Sequence, residues 1–370
     1  MSKKIGMIGW RGMVGSVLIQ RMQEENDFAG LDATFFSTSQ VGEPGPALGG
    51  APKPLQDAYD VEALTDKDVI VTCQGGDYTQ QMHPQLRAAG WHGFWIDAAS
   101  ALRMEPTSVI VLDPVNRHVI DRALERGCKD FIGGNCTVSL MLLAIHGLIE
   151  RGWVEWITSM TYQSASGAGA AQMKELVLQM AEIGQRAGTG AADARMPVLD
   201  VEKSVTDLLQ SADLTINQFG APLAASLIPW IDRAMENGQT REEWKGQAEA
   251  NKILEQDPPL PIDGQCVRVG AMRCHSQGLT IKMKQDIPLP DIEAAIRSAN
   301  QWVRWVPNTK EDTLQQLTPA AISGQLDIAI GRVRKMTLGP EYITAFTVGD
   351  QLLWGAAEPV RRILQIVLNA

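Results

Sequence analysis

The 370-residue sequence is short of cysteine, histidine, tyrosine and long apolar runs. Its five cysteines, Cys73, Cys128, Cys136, Cys266 and Cys274, form an odd set with no Cys-x-x-Cys pair. That spacing argues against a zinc ribbon or a thioredoxin-type motif, and predicts reduced thiols with no bound metal. The longest apolar stretch, Val138 to Ile149, is broken by Ser139, His146 and Gly147. It falls short of the about 20 residues that span a bilayer, so no membrane partner is expected. Two early lysines run straight into a glycine-rich turn, unlike a signal peptide, and a cytoplasmic location is expected. Positive charge is outnumbered, 33 Lys and Arg against 43 Asp and Glu, for a formal charge of −10. Nucleic acid is therefore a poor partner, although a small anion needs only two or three local cations. There is no internal repeat and no low-complexity tract.

What is present is the pattern of a soluble globular chain, 45% hydrophobic and 21% charged, long enough for two domains. Lys4–Ile8 reads as a strand, followed by a helix with Val14, Val17, Leu18 and Met22 on one face. Ala33–Phe36, Val69–Cys73, Phe94–Ala98, Val109–Leu112 and Phe131–Gly133 read as further strands. Gly42–Pro54, with four prolines, reads as irregular. This alternation predicts an α/β fold with a doubly wound, Rossmann-type domain. Beyond it, Trp153–Gln163 reads as a strand, and Met173 to Ile183 as an amphipathic helix. Gly184–Ala194 reads as a mobile loop, Cys266–Met283 as one long β segment, and Asp291–Asn300 as a helix. The expected second domain is α+β with an antiparallel sheet. A final helix, with Pro359 in its first turn and Val360, Ile363, Leu364, Val367 and Leu368 on one face, needs a surface to cover. It is expected to return to the first domain, giving residues 1–135 and 356–370 for that domain and 136–355 for the second.

The first strand runs into Gly9-Trp10-Arg11-Gly12-Met13-Val14-Gly15, opening a helix. Such glycines let backbone approach a pyrophosphate, held by helix N–H groups and the dipole. A plain strand-to-helix turn is the bland alternative. The second strand ends Phe36-Ser37-Thr38-Ser39-Gln40, without the acid that usually accepts from an NAD ribose. Those hydroxyls and Arg11 would suit the 2′-phosphate of NADP, unless Ser37–Ser39 only cap a turn.

Cys136 follows Gly133-Gly134-Asn135 at the start of an apolar helix. A thiol there faces the positive end of the dipole, which is expected to lower its pKa and populate thiolate. The diglycine leaves room for a carbonyl, and neighbouring N–H groups are candidates for an oxyanion hole. Among the histidines, His275 stands apart, in a β segment beside Arg268 and Arg273. Arg268 and His275 are seven apart, so a regular strand points them to opposite faces; they share a site only if Gly270 or another bulge breaks the alternation.

GWRGMVGS, FFSTSQ, VTCQGGDYT, WIDAAS, IVLDPVN, GGNCTVSLML, TYQSASGAGA, SLIPWID, REEWKGQAE, VRVGAMRCHSQ, LTPAA and AFTVGDQLLWGAAEP occur in that order from Gly9 to Pro359. Together they resemble the bacterial aspartate-semialdehyde dehydrogenases. The resemblance implies an NADP-dependent, phosphorylating oxidoreductase that interconverts L-aspartate 4-semialdehyde plus phosphate with L-4-aspartyl phosphate, toward diaminopimelate, lysine, methionine and threonine. It also implies a homodimer and a fold similar to glyceraldehyde-3-phosphate dehydrogenase. By that resemblance Cys136 forms the thioester, His275 is the general acid/base and Gln163 orients the substrate. Arg268 matches the carboxylate binder, Glu242 a contact to the amino group, and Arg103 and Lys245 the phosphate binders. Arg11, Gly12, Met13, Val14, Thr38, Ser39, Gln74, Ser166, Gly167 and Gln351 match positions lining NADP. Without the resemblance, Arg241 to Lys245 would read as a solvated helix face. The alternatives are a related reductase of the N-acetylglutamyl-phosphate type, a non-catalytic NADP-binding regulator, and an acyltransferase using Cys136 and His275 without redox chemistry.

Overall fold

The computed structural model describes residues 3–48 and 51–370. Readings that touch residues 1–2 or 49–50, the extreme N-terminus and the middle of the Gly42–Pro54 stretch, fall outside the described residues there.

The first half alternates strand and helix as β1 (Lys4–Ile8), α1 (Met13–Glu24), β2 (Asp32–Ser37), β3 (Gln56–Asp57), α2 (Val61–Thr65), β4 (Val69–Thr72), α3 (Gly76–Ala88), β5 (Phe94–Asp97), β6 (Ser108–Val111), α4 (Asp113–Glu125) and β7 (Asp130–Gly133). The strands pair in parallel in the order β3-β2-β1-β4-β5-β7-β6. Helices on both faces explain why β4, Val-Ile-Val-Thr, is buried at every position. The order reverses between β1 and β4, so the crevice at their C-terminal ends is where such a sheet takes a ligand.

The second half runs α5 (Cys136–Glu150), β8 (Val154–Gln163), α6 (Ala170–Ala192), α7 (Val198–Leu209), β9 (Leu227–Ile228), α8 (Arg241–Leu254), β10 (Ile262–Val269), β11 (Cys274–Met283), α9 (Leu289–Ser298), β12 (Val303–Trp305), α10 (Lys310–Gln316), α11 (Pro319–Ile322), β13 (Ile328–Met336) and β14 (Gly339–Asp350). Helix α5 is apolar nearly all round because it is the central helix, packed against the sheet and against α8 and α9. A turn of π-helix (Leu353–Ala357) leads into α12 (Glu358–Leu368). Val360, Ile363, Leu364 and Val367 of α12 join Ile5, Met7, Val69 and Phe131 in the core of the first sheet. Burying each of the four contributes about 1.5–3 kcal/mol. Arg362 adds a bond to Asp113 of α4 at 2.8 Å, and Arg361 one to Asp27 at 2.6 Å.

Three expectations need correction. The second sheet is mixed: β8 and β10 are parallel, as are β12 and β13, while β11 is antiparallel to both β8 and β14. Cys266–Met283 is two strands, and they do not pair with each other. Residues 270–273 carry the chain across the end of β8, leaving β10 on one side of it and β11 on the other. Gly184–Ala194 is helical to Ala192, because α6 packs along α7. The glycine at 190 leaves room for the connection into α7: a Cβ there would lie 2.6 Å from the Met196 sulfur.

Candidate active site

The crossing at 270–273 resolves the geometry of Arg268 and His275. Gln163, the last residue of β8, is in register with Arg268 on β10. On the other side Ser276 of β11 pairs with Tyr162, which brings His275 to the same strand end. Alternation within one strand never applied, because two strands flank a third. The segment after β8 is laced to the crossing by Ala165 N–H to Ala271 O (2.8 Å) and Ser166 N–H to Met272 O (3.0 Å).

The sulfur of Cys136 lies 3.2 Å from His275 Nε2. The other ring nitrogen accepts from the Ser164 backbone N–H at 3.0 Å, with the Ser164 hydroxyl 2.9 Å away. That pattern assigns the neutral ring its proton on Nε2, facing the sulfur. Burial and the Arg268 charge push His275 down to about 3. Burial and the Glu242 carboxylate push the Cys136 thiol up to about 12, against the opposing pull of Arg103, Arg268 and Lys245. Burial and the Glu242 carboxylate thus oppose the thiolate that the helix dipole favours. Desolvation outweighs the helix dipole, and the Thr137 and Val138 N–H groups, two candidates for an oxyanion hole, are spent on the Asn135 side chain at 3.0 and 3.2 Å.

Around the pair, charges are interleaved. Glu242 opens α8 and is buried; burial alone would raise its carboxyl, but Lys245, Asn135 and Arg268 hold it below its ordinary value. It accepts from Asn135 Nδ2 at 3.0 Å, Lys245 Nζ at 2.9 Å and Gln163 Nε2 at 3.4 Å. Burial works to lower the Lys245 ammonium, yet Glu242 and Asp232 hold it above its ordinary value, each 2.9 Å away. Arg268 gives Nη1 to Ser164 O at 2.7 Å, and burial lowers its pKa. Arg103 donates to Gly133 O at 2.6 Å and faces Glu249 at 3.3 Å. The cations expected here are thus present, with Arg103 and Lys245 each matched by carboxylates.

The residues predicted to line a nucleotide fall into two groups. Arg11, Gly12, Met13, Val14, Thr38, Ser39 and Gln74 sit at the C-terminal ends of β1, β2 and β4, with Gln74 Nε2 3.5 Å from Thr38 Oγ1. Gly12 caps α1 without a side-chain hydrogen bond, so the first N–H groups of that helix have no side-chain acceptor. A Cβ at Gly15 would lie 2.2 Å from Gly9 O, so this glycine is fixed by packing, whereas one at Gly12 would find only Gly9 O at 3.3 Å. The β2 end does form a capped turn, since Ser37 Oγ accepts from Gln40 N–H at 3.0 Å. Ser166, Gly167 and Gln351 lie instead beside the sulfur pocket. A Cβ at Gly167 would press on Arg268 Nη1 at 2.9 Å and His275 Cε1 at 3.0 Å. Gln351 Oε1 is buried without a partner, an acceptor left open for a ligand donor. An uncapped helix end, a β2 whose C-terminal end carries no acid and an orphaned amide oxygen by the thiol all fit a bound nicotinamide dinucleotide. Among the described residues there is no cluster that could hold a metal, and no helix is long and apolar enough to cross a membrane.

Sequence reasoning missed four participants. Asn135 was legible as the N-cap before an apolar run. Glu249 was legible as the residue seven beyond Glu242 on one helix face. Ser164 carries no local signal, and neither does Gly355, where a Cβ would lie 2.9 Å from Cys136 Cβ.

Two family models match the chain: the semialdehyde dehydrogenase NAD binding domain over residues 4–123 and the semialdehyde dehydrogenase dimerisation domain over residues 145–354. Fold and site thus define a two-domain dehydrogenase of the semialdehyde class. An aspartate semialdehyde dehydrogenase from Francisella tularensis is 49% identical, with a TM-score of 0.94 over 99% of this chain and 100% of that one. The chain belongs to the aspartate-semialdehyde dehydrogenase family. Two more distant enzymes share the fold: aspartate semialdehyde dehydrogenase II from Vibrio cholerae, solved with ASA, and the Candida albicans enzyme, solved with NADP. The first is 22% identical with a TM-score of 0.81, the second 15% identical with a TM-score of 0.66; each match covers 100% of this chain and 99% of the other.

Proposed function

We propose that the protein interconverts L-aspartate 4-semialdehyde, phosphate and NADP with L-4-aspartyl phosphate and NADPH, as a cytoplasmic step of lysine/diaminopimelate, methionine and threonine biosynthesis. The observation that carries this reading is the Cys136–His275 contact of 3.2 Å within the ring of Arg268, Glu242 and Gln163. In the reductive direction Cys136 Sγ attacks the acyl carbon of the acyl phosphate, the C–O bond to phosphate breaks, the thiol proton leaves with the departing phosphate, and a thioester forms on sulfur. The bound dinucleotide supplies or accepts the hydride. His275 Nε2, set as a donor toward the sulfur, is the group placed to exchange a proton with the oxygen on the carbon joined to Sγ. Arg268 pairs the substrate carboxylate with its planar fork, and Glu242 its ammonium. A free amino group suits the buried Glu242 carboxylate better than the N-acyl group of the related reductases. Gln163 orients the substrate, and Arg103 and Lys245 receive the phosphate.

Arg11 to Val14 and Thr38, Ser39 and Gln74 hold the phosphates and 2′-phosphate of NADP, and Ser166, Gly167 and Gln351 its nicotinamide end. Residues 1–135 with 356–370 form the nucleotide domain, and 136–355 the catalytic one. The exposed side chains Val177, Leu178, Met180, Val198 and Leu199 of α6 and α7 are apolar surface suited to a homodimer contact. The test is NADP reduction with aspartate semialdehyde, with and without phosphate and beside NAD. Phosphate-dependent reduction that prefers NADP is expected; turnover independent of phosphate overturns the acyl-phosphate step.

A further inference from the structure

Helix α8 presents Glu242, Lys245 and Glu249 on one face, at spacings of three and four residues. The first two belong to the substrate pocket already described. Glu249, only 2% exposed, is further in. Its carboxylate accepts from the Asn135 backbone N–H at 2.8 Å and faces Arg103 Nη1 at 3.3 and 3.4 Å. Arg103 itself donates Nε to Gly133 O at 2.6 Å and Nη2 to Ala98 O at 3.3 Å. Both side chains therefore grip residues 133–135, immediately ahead of the Cys136 helix.

The two bonds of Glu249 are unequal. Its contact with Asn135 has the length of a good charge-assisted hydrogen bond, whereas its contact with Arg103 is longer than the about 2.7–2.9 Å usual for guanidinium and carboxylate. An incoming anion competes with the long one and leaves the short one in place.

We propose that Glu249 is a positioning residue that serves as the resident counter-anion of Arg103, yields that guanidinium to the phosphate of the substrate, and ties the exchange to the nucleophile through Asn135. This rests on the proposed phosphate site at Arg103. In the anion-free protein Glu249 keeps a buried cation from standing unpaired, which would be costly. Its charge also competes with phosphate, so affinity for the anion is held down in exchange for a pocket that stays ordered between turnovers. Glu249→Gln separates the two effects. An amide oxygen still accepts from Asn135, but the charge opposite Arg103 is gone.

The experiment measures the phosphate KM and kcat of the full-length protein, together with the rise in Tm produced by inorganic phosphate. Glu249→Gln is expected to lower Tm without phosphate, to give a larger phosphate-induced rise than the wild type, and to lower the phosphate KM about fivefold. A purely structural residue would lower Tm and leave the phosphate-induced rise and KM where they were, and that result overturns the proposal. If Glu249→Gln does not fold, Glu249→Asp is read instead: its charge is kept but drawn back by one methylene, and an about twofold fall in phosphate KM is expected. An unchanged or raised KM overturns the proposal in that variant too. Arg103→Met separates the two layers. A raised phosphate KM there with no fall in Glu249→Gln removes only the role of Glu249. An unchanged KM in Arg103→Met removes the phosphate site and the proposal with it.

Discussion

At the start of α1 the chain leaves backbone donors without a side-chain partner, whereas at the start of α5 it spends them. Gly12 caps α1 with no side chain at all, and the helix end faces the crevice between β1 and β4. Asn135 caps α5 with a side chain that takes the N–H groups of Thr137 and Val138, and is itself held by Glu242 and Glu249. Both ends carry the same partial positive charge. On the function proposed above, one receives an anion directly; the other is closed, with its first residue, Cys136, beside His275. The difference teaches that a helix N-terminus does not by itself activate a thiol. What surrounds the sulfur, here a desolvating pocket with Glu242 close by, pushes the thiol up against the dipole.

The harshest way to break the comparison is to remove the group that the closed end presents. Cys136→Ala is expected to abolish phosphate-dependent NADPH formation, by about 10⁴-fold or more, with Tm nearly unchanged. Stopped-assay rates beside thermal melts check both halves.

His275→Asn comes next, with an expected loss of about 10²- to 10⁴-fold in kcat. It also changes acid stability with a definite sign. The wild-type ring is held down to about 3 in the folded chain against 6.5 when unfolded, so between those values the unfolded state binds the extra proton. Stability contributed by His275 is present above 6.5 and lost as the pH falls toward 3. Denaturant midpoints between pH 4 and 6.5 should fall less steeply in His275→Asn than in the wild type. Asp97 gives an independent slope of opposite sign, since burial pushes its carboxyl up to about 6.

The mildest pair sharpens the contrast between the two helix ends. Gly12→Ala adds a methyl where backbone angles are ordinary but Gly9 O, at 3.3 Å, must give by a few tenths of an ångström, a small cost to the fold beside the block to a bound pyrophosphate. The NADP KM is expected to rise several-fold with Tm only slightly lowered. Asn135→Ala should do the reverse, lowering stability by about 1–2 kcal/mol for the lost cap while leaving the NADP KM near its wild-type value. Equal effects of both variants on KM would erase the distinction.

Much of this was legible in local pattern. β1, the Gly9–Gly15 turn, the buried run of β4 and the one-sided apolar face of α12 each follow from periodicity and turn chemistry, and each lies where the spacing put it. What escaped depends on pairing between distant segments. Nothing in Cys266–Met283 says that its two halves flank β8, and that single crossing places Arg268 and His275 on one site. The helical state of residues 184–192 depends on α7 lying against it, a tertiary contact that outweighs three glycines. The setting of the Cys136 thiol is of the same kind: the dipole is visible in the sequence, but the desolvation and the approach of Glu242 that push the thiol up are not.

The most direct test of the Cys136–His275 centre is to mix protein, NADP and aspartate semialdehyde without phosphate, quench in acid, and weigh the peptide containing Cys136. An aspartyl thioester on Cys136 is predicted, removed by phosphate or hydroxylamine and absent from Cys136→Ala. A protein that turns over on adding phosphate but never carries an acyl group on Cys136 would contradict the account.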